Sequence, residues 1–556
     1  MFLTEEIKKA ISKASADLIP ADLITLEKSP DFLAQNFDLS FPAGFIILKA
    51  SRGKVKGDPL SLAQGLADKI NSEKPELIES AQASKPGYVN LKLAPKVFND
   101  AINLFLTDEG KVPGFDPKNS GLPQSVLLEF VSVNPTGPLH FGHVKGSILG
   151  DTLARLFSFL NVKVVKEYYI NDVGGQIEKL GASLQAYYKR EVLGVAADVP
   201  EGGYQGDYLK DMALGLSGDS ESWQAPRFAE FAMEKVLGII KSDLSAMEII
   251  FDIWARESVL HDSGKVGVVL DELEKKGCAA QKDGALWFVD EAKGKEADKE
   301  CVLRKSDGRP TYLTSDLAYH REKFLRGFDC LINIWGADHH GAEKRLRRGL
   351  KSLGIDHGKL KVILVQMVRL VRDGNVLTMS KREGSVISAI QVLDEVGRDS
   401  IRFFMNLRTA NAQMDFDLDF AKKKNTENPV YLTQYAHARV CSITKECEKR
   451  GVKLPAADEL LGVSCAETDQ KAKELKSDLL LFWNALLESA RDYSTHQVAL
   501  YLVSLARSFH SYYETHSILH APSDEVRSER LKICLAAKAA IKTGLGILGV
   551  SAPEKM

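Results

Sequence analysis

The segment from Val126 to Asp151 leaves this chain few ways to fold. Val126, Leu127, Leu128, Phe130 and Val131 form an apolar run that suits a strand buried on both faces of a parallel sheet. Asn134-Pro135-Thr136-Gly137-Pro138 cannot continue a ladder, because two prolines lack the donor and a glycine weakens it. Leu139 to Asp151 then reads as a helix, with His140 and His143 three residues apart on its first turn. Strand, tight turn and helix start together present free backbone N–H groups and the positive end of a helix dipole to an anion, and Gly142 lets a flat ligand approach. Two histidines there can donate to a phosphate on which charge builds, as nucleotidyl transfer requires. Two plainer readings stand beside it: a helix start with two exposed histidines, and a metal site that lacks its third ligand.

A second polar stretch, Val376-Leu-Thr378-Met379-Ser380-Lys381-Arg382-Glu-Gly-Ser-Val386, follows the strand-like run Val362 to Val371. A lysine on such a loop can neutralise the outer phosphates of a nucleotide as they leave, although a Ser-Lys-Arg triplet alone is usually a solvated turn. Leu331 to Trp335 reads as a buried strand that ends at Gly336-Ala337-Asp338-His339-His340. Doubly wound sheets bind nucleotides at the carboxyl ends of their strands, where an acidic side chain can take ribose hydroxyls. The following helix carries Lys344, Arg345, Arg347, Arg348 and Lys351, a basic face that fits either solvent or nucleic acid.

At 556 residues the length prior gives roughly four domains, and 44% hydrophobic content suffices for several cores. A net charge of -2 with 27% charged residues excludes a general polyanion coat, so any nucleic-acid surface must be a local patch. The sequence has no bilayer-length apolar run and no signal-like N-terminus, and its seven cysteines are scattered without CxxC spacing. A reducing, cytoplasmic setting without structural zinc is expected, and nothing demands a partner subunit, so a monomer is expected.

Residues 1–117 read as a small α/β domain. It has an amphipathic helix from Phe2 to Ile19, strands at Gly44–Leu48 and Tyr88–Leu93, and a Pro59–Ile70 helix capped by Asp58. Residues 118–395 form a nucleotide-binding fold interrupted by a polar, largely helical insertion at about 194–291. After 396 the pattern turns all-helical: residues 396–430 form a stem, and Leu432, Ala436, Val440, Ile443 and Cys447 make one helix face of a bundle spanning 431–556.

Taken together, the HxGH turn and the Met-Ser-Lys loop resemble the signature pair of class I aminoacyl-tRNA synthetases. The contexts Glu129-Phe-Val-Ser-Val-Asn-Pro-Thr-Gly-Pro-Leu-His-Phe-Gly-His143, Tyr168-Tyr-Ile-Asn-Asp-Val-Gly-Gly-Gln176, Tyr312-Leu-Thr-Ser-Asp-Leu-Ala-Tyr-His320, Trp335-Gly-Ala-Asp-His-His-Gly341 and Tyr435-Ala-His-Ala-Arg-Val440 resemble the arginyl-tRNA synthetase family. That resemblance implies an α/β, Rossmann-type catalytic domain, an N-terminal α/β domain that touches the tRNA elbow and a C-terminal all-α anticodon-binding domain. It implies arginine-tRNA ligase activity, with ATP and Mg²⁺, L-arginine and tRNA(Arg) as partners.

It further implies that His140, His143 and Lys381 are catalytic. Pro138, Leu139, Gly142, Lys145, Gly336, Asp338, His339, Gln366, Met367, Val368, Met379 and Ser380 would bind ATP, the segment Gln366 to Val368 through its backbone. Glu129, Ser132, Asn134 and His143 would hold the α-amino and carboxylate end of arginine, while Tyr312 and Asp316, four apart on one helix face, grip the guanidinium. Thr378 stands where the usual loop signature has a lysine and Arg382 where it has a serine, which makes Lys145 a candidate source of the missing charge. A small-molecule nucleotidyltransferase and a tRNA-binding paralogue without activity remain as rival readings. The first lacks this architecture, and the second sits poorly with the intact histidines and Lys381.

Overall fold

A computed structural model describes residues 3–16, 18–30, 36–216, 218–289, 301–377 and 387–556. The chain divides into two units, Leu122–Lys422 and a second made of Met1–Gly121 with Lys423–Met556.

The first unit is built on five parallel strands in the order Leu360–Val365, Cys330–Gly336, Ser125–Glu129, Lys163–Ile170, Ile253–Arg256. Val126, Leu127 and Leu128 are fully buried, as their continuous apolar run requires. The chain runs outward from Ser125–Glu129 in one direction, then returns to place Cys330–Gly336 on its other side, with Asn333 level with Glu129. That reversal opens a crevice at the carboxyl ends of these two central strands, the place where doubly wound sheets bind ligands. The Val144–Phe159 helix sits tightly against the strand end, since a Cβ on its Gly150 would meet the Phe130 ring at 2.3 Å.

Three stretches differ from their sequence reading. The range 194–291 is largely helical, through Asp207–Leu214, Ala225–Ala246, Glu257–Asp262 and Lys265–Lys275, but strands also run through it. Ile253–Arg256 then joins the parallel sheet as its edge, and Ala279–Lys282 and Ala285–Phe288 pair with Cys301–Arg304 in a small antiparallel sheet. Ile253–Arg256 is short and half-buried and Ala279–Lys282 mostly exposed, so neither has the apolar run that marks a core strand, while Ala285–Phe288 is apolar and buried but only four residues long. The run from Val362 to Val371 is two strands: Leu360–Val365 belongs to the parallel sheet, while Val368–Arg372 pairs with Met414–Asp417, a strand in what read as all-helical sequence.

The second unit combines the N-terminal domain with the helical bundle. Its four-stranded sheet, Glu27–Lys28, Leu39–Phe41, Tyr88–Leu93, Ile78–Ser84, carries the Leu3–Ala14 and Pro59–Glu73 helices, the latter capped by Asp58 as its sequence requires. The expected strand at Gly44–Leu48 is instead the helix Ala43–Ala50. A short apolar run cannot by itself distinguish the two, and Gly44 is needed there because a Cβ would overlap the Pro59 carbonyl. The bundle helices are Pro429–Lys449, Gln470–Arg491, His496–Thr515 and Asp524–Leu548. Bundle and sheet domain share a core: Phe105 stacks on Trp483 at 4.9 Å, and the Trp483 indole donates to the Gly110 carbonyl at 2.7 Å. No helix among the described residues is long and apolar enough to cross a membrane.

Candidate active site

Glu129 closes its strand, and just past Phe130 the residues Val131 and Ser132 have φ of 68° and 42°. A β-branched residue in the left-handed region costs of order 1–3 kcal/mol and persists only where surrounding contacts hold it. The result is that the Ser132 hydroxyl turns back onto Glu129 Oε1 at 3.2 Å while accepting the Tyr169 N–H at 3.1 Å. The other Glu129 oxygen takes the ammonium of fully buried Lys323 at 2.7 Å, and that ammonium also donates to Asn333 Oδ1 at 2.6 Å.

The Tyr312–Leu325 helix supplies the opposite wall. Its Asp316 is half-buried, and burial, followed by the nearby Glu129 and Glu257 carboxylates, pushes its pKa up to about 7 against the pull of Lys323 and Arg345. One turn on, burial and Lys323 drive His320 down to about 3, so its imidazole is neutral. Asn333 Nδ2 donates to His320 Nε2 at 2.7 Å, which leaves Nδ1–H to donate to the Asp316 carbonyl at 2.8 Å. Tyr312, at the start of this helix, is exposed.

On the other side of the crevice the turn after Asn134 leads into the histidines. A 3-10 turn, Phe141–His143, precedes the helix, so His140 lies before the first helical residue rather than on its face, and the two rings lie against each other at a 31° tilt with centroids 3.5 Å apart. Gly142 is required: a Cβ would stand 2.9 Å from His140 Nδ1 and 3.5 Å from the Met367 methyl, which places Met367 over the turn. Gln366 N–H donates to the Ala410 carbonyl at 3.0 Å, and Val368 enters the neighbouring strand pair. At the end of Cys330–Gly336, Asp338 and His339 are exposed, and a Cβ on Gly336 would collide with the Asp338 carboxylate.

The structure thus brings Glu129, Ser132 and Asp316 to one end of the crevice and the two histidines with Gly142 and Met367 to the other. The exposed Asn134 donates its amide to Gln176 at 2.7 Å. Pro138 and Leu139 lie on the turn itself. Lys145, the candidate source of the missing charge, is 1% exposed, and its ammonium donates to the carbonyls of Ala410 and Ala412 at 3.0 and 2.7 Å. Burial lowers its pKa to about 8. Thr378, Met379, Ser380, Lys381 and Arg382 lie outside the described residues.

Sequence reasoning missed Glu257, the buried carboxylate that bears on Asp316, and Lys323, which neutralises Glu129. Lys323 was within reach, since Tyr312, Asp316, His320 and Lys323 recur at steps of four, four and three along one helix stripe. Glu257 follows an edge strand far from any motif and left no such signal.

A parallel sheet with paired histidines on the turn at its switch point suits the catalytic domain of a class I aminoacyl-tRNA synthetase, and residues 106–201 and 212–419 match the family model described as tRNA synthetases class I (R), catalytic domain. Residues 1–93 match the arginyl tRNA synthetase N terminal domain, and 433–556 the DALR anticodon binding domain. The chain belongs to the arginyl-tRNA synthetase family. It is 38% identical over 99% of its length to the arginine-tRNA ligase of Caldanaerobacter subterraneus subsp. tengcongensis, of which the match covers 98%. It is 35% identical to that of Aquifex aeolicus, covering 100% of both chains. The Thermus thermophilus arginyl-tRNA synthetase structure shares the fold, with a TM-score of 0.76, 23% identity and 99% coverage of each chain.

Proposed function

We propose that this protein is an arginine-tRNA ligase that condenses ATP with L-arginine to arginyl-adenylate and passes the arginyl group to the 3′-terminal adenosine of tRNA(Arg). The observation that carries the reading is the pairing, at one switch point, of an acidic pocket with the adjacent histidines of an anion-binding turn. Asp316, backed by Glu257, is suited to a guanidinium, which needs planar acceptors and cannot shed its charge. Glu129 and Ser132 hold the α-amino end, and Tyr312 and Asn134 close on the ligand from their exposed positions. The arginine carboxylate then attacks the α-phosphate in line. His140 and His143 donate to the phosphate as its charge grows, and no covalent enzyme intermediate is needed.

ATP enters as its Mg²⁺ complex, the ion belonging to the substrate and sharing the pyrophosphate charge. Lys381 supports the leaving phosphates with Met379 and Ser380 beside it. Gly336, Asp338 and His339 take the ribose, and the Gln366–Val368 backbone takes the adenine. The Lys145 ammonium, committed to two carbonyls, is given no phosphate role. The second unit would hold the RNA through its N-terminal domain and helical bundle.

The test is aminoacylation of total tRNA with each amino acid in turn, with pyrophosphate exchange run with and without tRNA. Charging by arginine alone is expected. Charging by another amino acid, or none, would overturn the assignment.

A further inference from the structure

The backbone from Val133 to Leu139 carries the approach to the histidines, and side chains from outside hold its peptide groups. Within the sheet, the Tyr168 hydroxyl donates to the Val133 carbonyl at 2.8 Å. Two further pins come from the helical segment that follows the first half of the sheet. Tyr208, on the Asp207–Leu214 helix, donates its hydroxyl to the Thr136 carbonyl at 2.8 Å. Asp243, in the last turn of the Ala225–Ala246 helix, accepts the Leu139 N–H at 3.3 Å. The Leu139 carbonyl in turn accepts from the Ala389 N–H at 2.8 Å, and the Phe141 N–H donates to the Ile387 carbonyl at 3.1 Å. Two separate stretches of chain, at Asp243 and Ala389, therefore meet on the residue before His140, and Ile387 ties the residue after it.

Asp243 is a costly way to satisfy one amide. Burial pushes its carboxyl up to about 6, and the Leu139 amide is the group that draws it back. A hydroxyl or a water could accept from that N–H without burying a charge, so the carboxylate is better explained by what it holds still than by what it adds to stability.

We propose that Tyr208 and Asp243 are positioning residues: the helical segment fixes the Thr136–Leu139 backbone and, through it, His140 and His143 for the nucleotidyl-transfer step. The inference rests on the ligase reading above. A displacement of about 1 Å at a reacting group can cost on the order of 10²-fold in rate. Loss of one of two pins should cost less, about tenfold in kcat.

The experiment uses the full chain with Tyr208→Phe, Asp243→Leu, Asp243→Asn and the Phe/Leu double variant. Tyr208→Phe and Asp243→Leu should each lower kcat for charging about tenfold, with the KM values for ATP and arginine within about twofold and Tm unchanged. Asp243→Asn keeps an oxygen to accept from Leu139 and should recover most of the rate. The double variant should fall by less than the product of the singles, because both act on one turn. Amide exchange of the peptide spanning 133–141 should quicken in Tyr208→Phe and Asp243→Leu whatever the enzyme's activity. Wild-type kcat in both single variants, a loss that tracks Tm and is not rescued by Asn, or unchanged exchange would each overturn the proposal. Wild-type protein that charges no arginine would instead overturn the ligase reading, and the exchange measurement would still decide whether the pins hold.

Discussion

If Asp316 receives the guanidinium, arginine binding should carry a proton signature. Its carboxyl sits at about 7 against an ordinary 3.8, because burial and the Glu129 and Glu257 carboxylates disfavour its charge. At about 1.36 kcal/mol per tenfold, that difference amounts to roughly 4 kcal/mol of unfavourable environment at high pH, an upper limit since the side chain is half-buried. A guanidinium placed against it returns the missing counter-charge, so the ligand should drive Asp316 to ionise. At pH 6.5 about three-quarters of the free site is protonated, and binding should release a proton in close to that proportion. Calorimetric titration with arginine in two buffers of different ionisation enthalpy measures it directly. Proton release should fade by about pH 8.5, and arginine affinity should weaken by up to tenfold per pH unit below 7. In Asp316→Asn the pH-dependent release should vanish and affinity should fall by about 2 kcal/mol, the loss of a charged hydrogen bond, with ATP binding intact. Arginine affinity that is flat from pH 6 to 8 in the wild type, or normal in the Asn variant, would refute the assignment.

Substituting alanine for His140 or His143 should lower turnover by ~10² or more with little change in KM for ATP, since each donates chiefly to charge that appears in the transition state; steady-state kinetics checks it. Lys323→Met should destabilise the catalytic unit by about 3–5 kcal/mol in urea unfolding, because it leaves the buried Glu129 carboxylate without its partner. Binding of tRNA should weaken steeply between 50 and 200 mM salt despite a net charge of -2, as phosphate contacts require, and filter binding at several salt concentrations reads the slope. A fragment of residues 122–422 should fold and bind ATP yet charge no tRNA. Deleting 423–556 alone should also unfold the N-terminal domain, which loses Trp483 from its core, and proteolysis of the two fragments separates these outcomes.

The strand, turn and helix start around the histidines were legible because each constraint is local: an apolar run, two prolines, a glycine and two histidines lie within one short segment. The placing of Tyr312 and Asp316 on one helix was legible for the same reason, as a step of four, while their role rests on the family resemblance. What escaped was set by tertiary neighbours. Lys145 looked free for a phosphate because nothing near it in sequence shows that Ala410 and Ala412 turn their carbonyls onto it. The split of Val362 to Val371 into two sheets depends on Met414–Asp417, a strand of four residues with alternating charges that carries no strong β signal. Likewise Glu257 and Asp243 join the site only through folding of the segment between the two halves of the sheet.

The buried ionisable groups of this site also explain how it can be sensitive to pH without putting the catalytic unit at risk. Asp316 and Asp243 have folded pKa values raised to about 7 and about 6, so the folded state binds their protons more tightly than the unfolded chain does. Their contribution to stability rises as pH falls from those values toward 3.8. His320 has the opposite sign: held neutral down to about 3, it takes up no proton while the unfolded chain does, so its contribution is lost as pH falls below 6.5. Each slope is about 1.36 kcal/mol per pH unit at most. Between 6.5 and 6 the Asp316 gain and the His320 loss cancel, and below 6 Asp243 tips the sum toward stability. Asp151 acts lower still: burial opposes its charge, but Arg402, Arg155 and Lys166 hold it below the usual carboxylate range, so its support is lost only beneath 3.8. Protonating the carboxylate that would receive arginine therefore weakens the ligand rather than the catalytic unit, whereas in the other unit burial holds His437, His496 and His510 below the ordinary imidazole value and their support is lost as pH falls below 6.5.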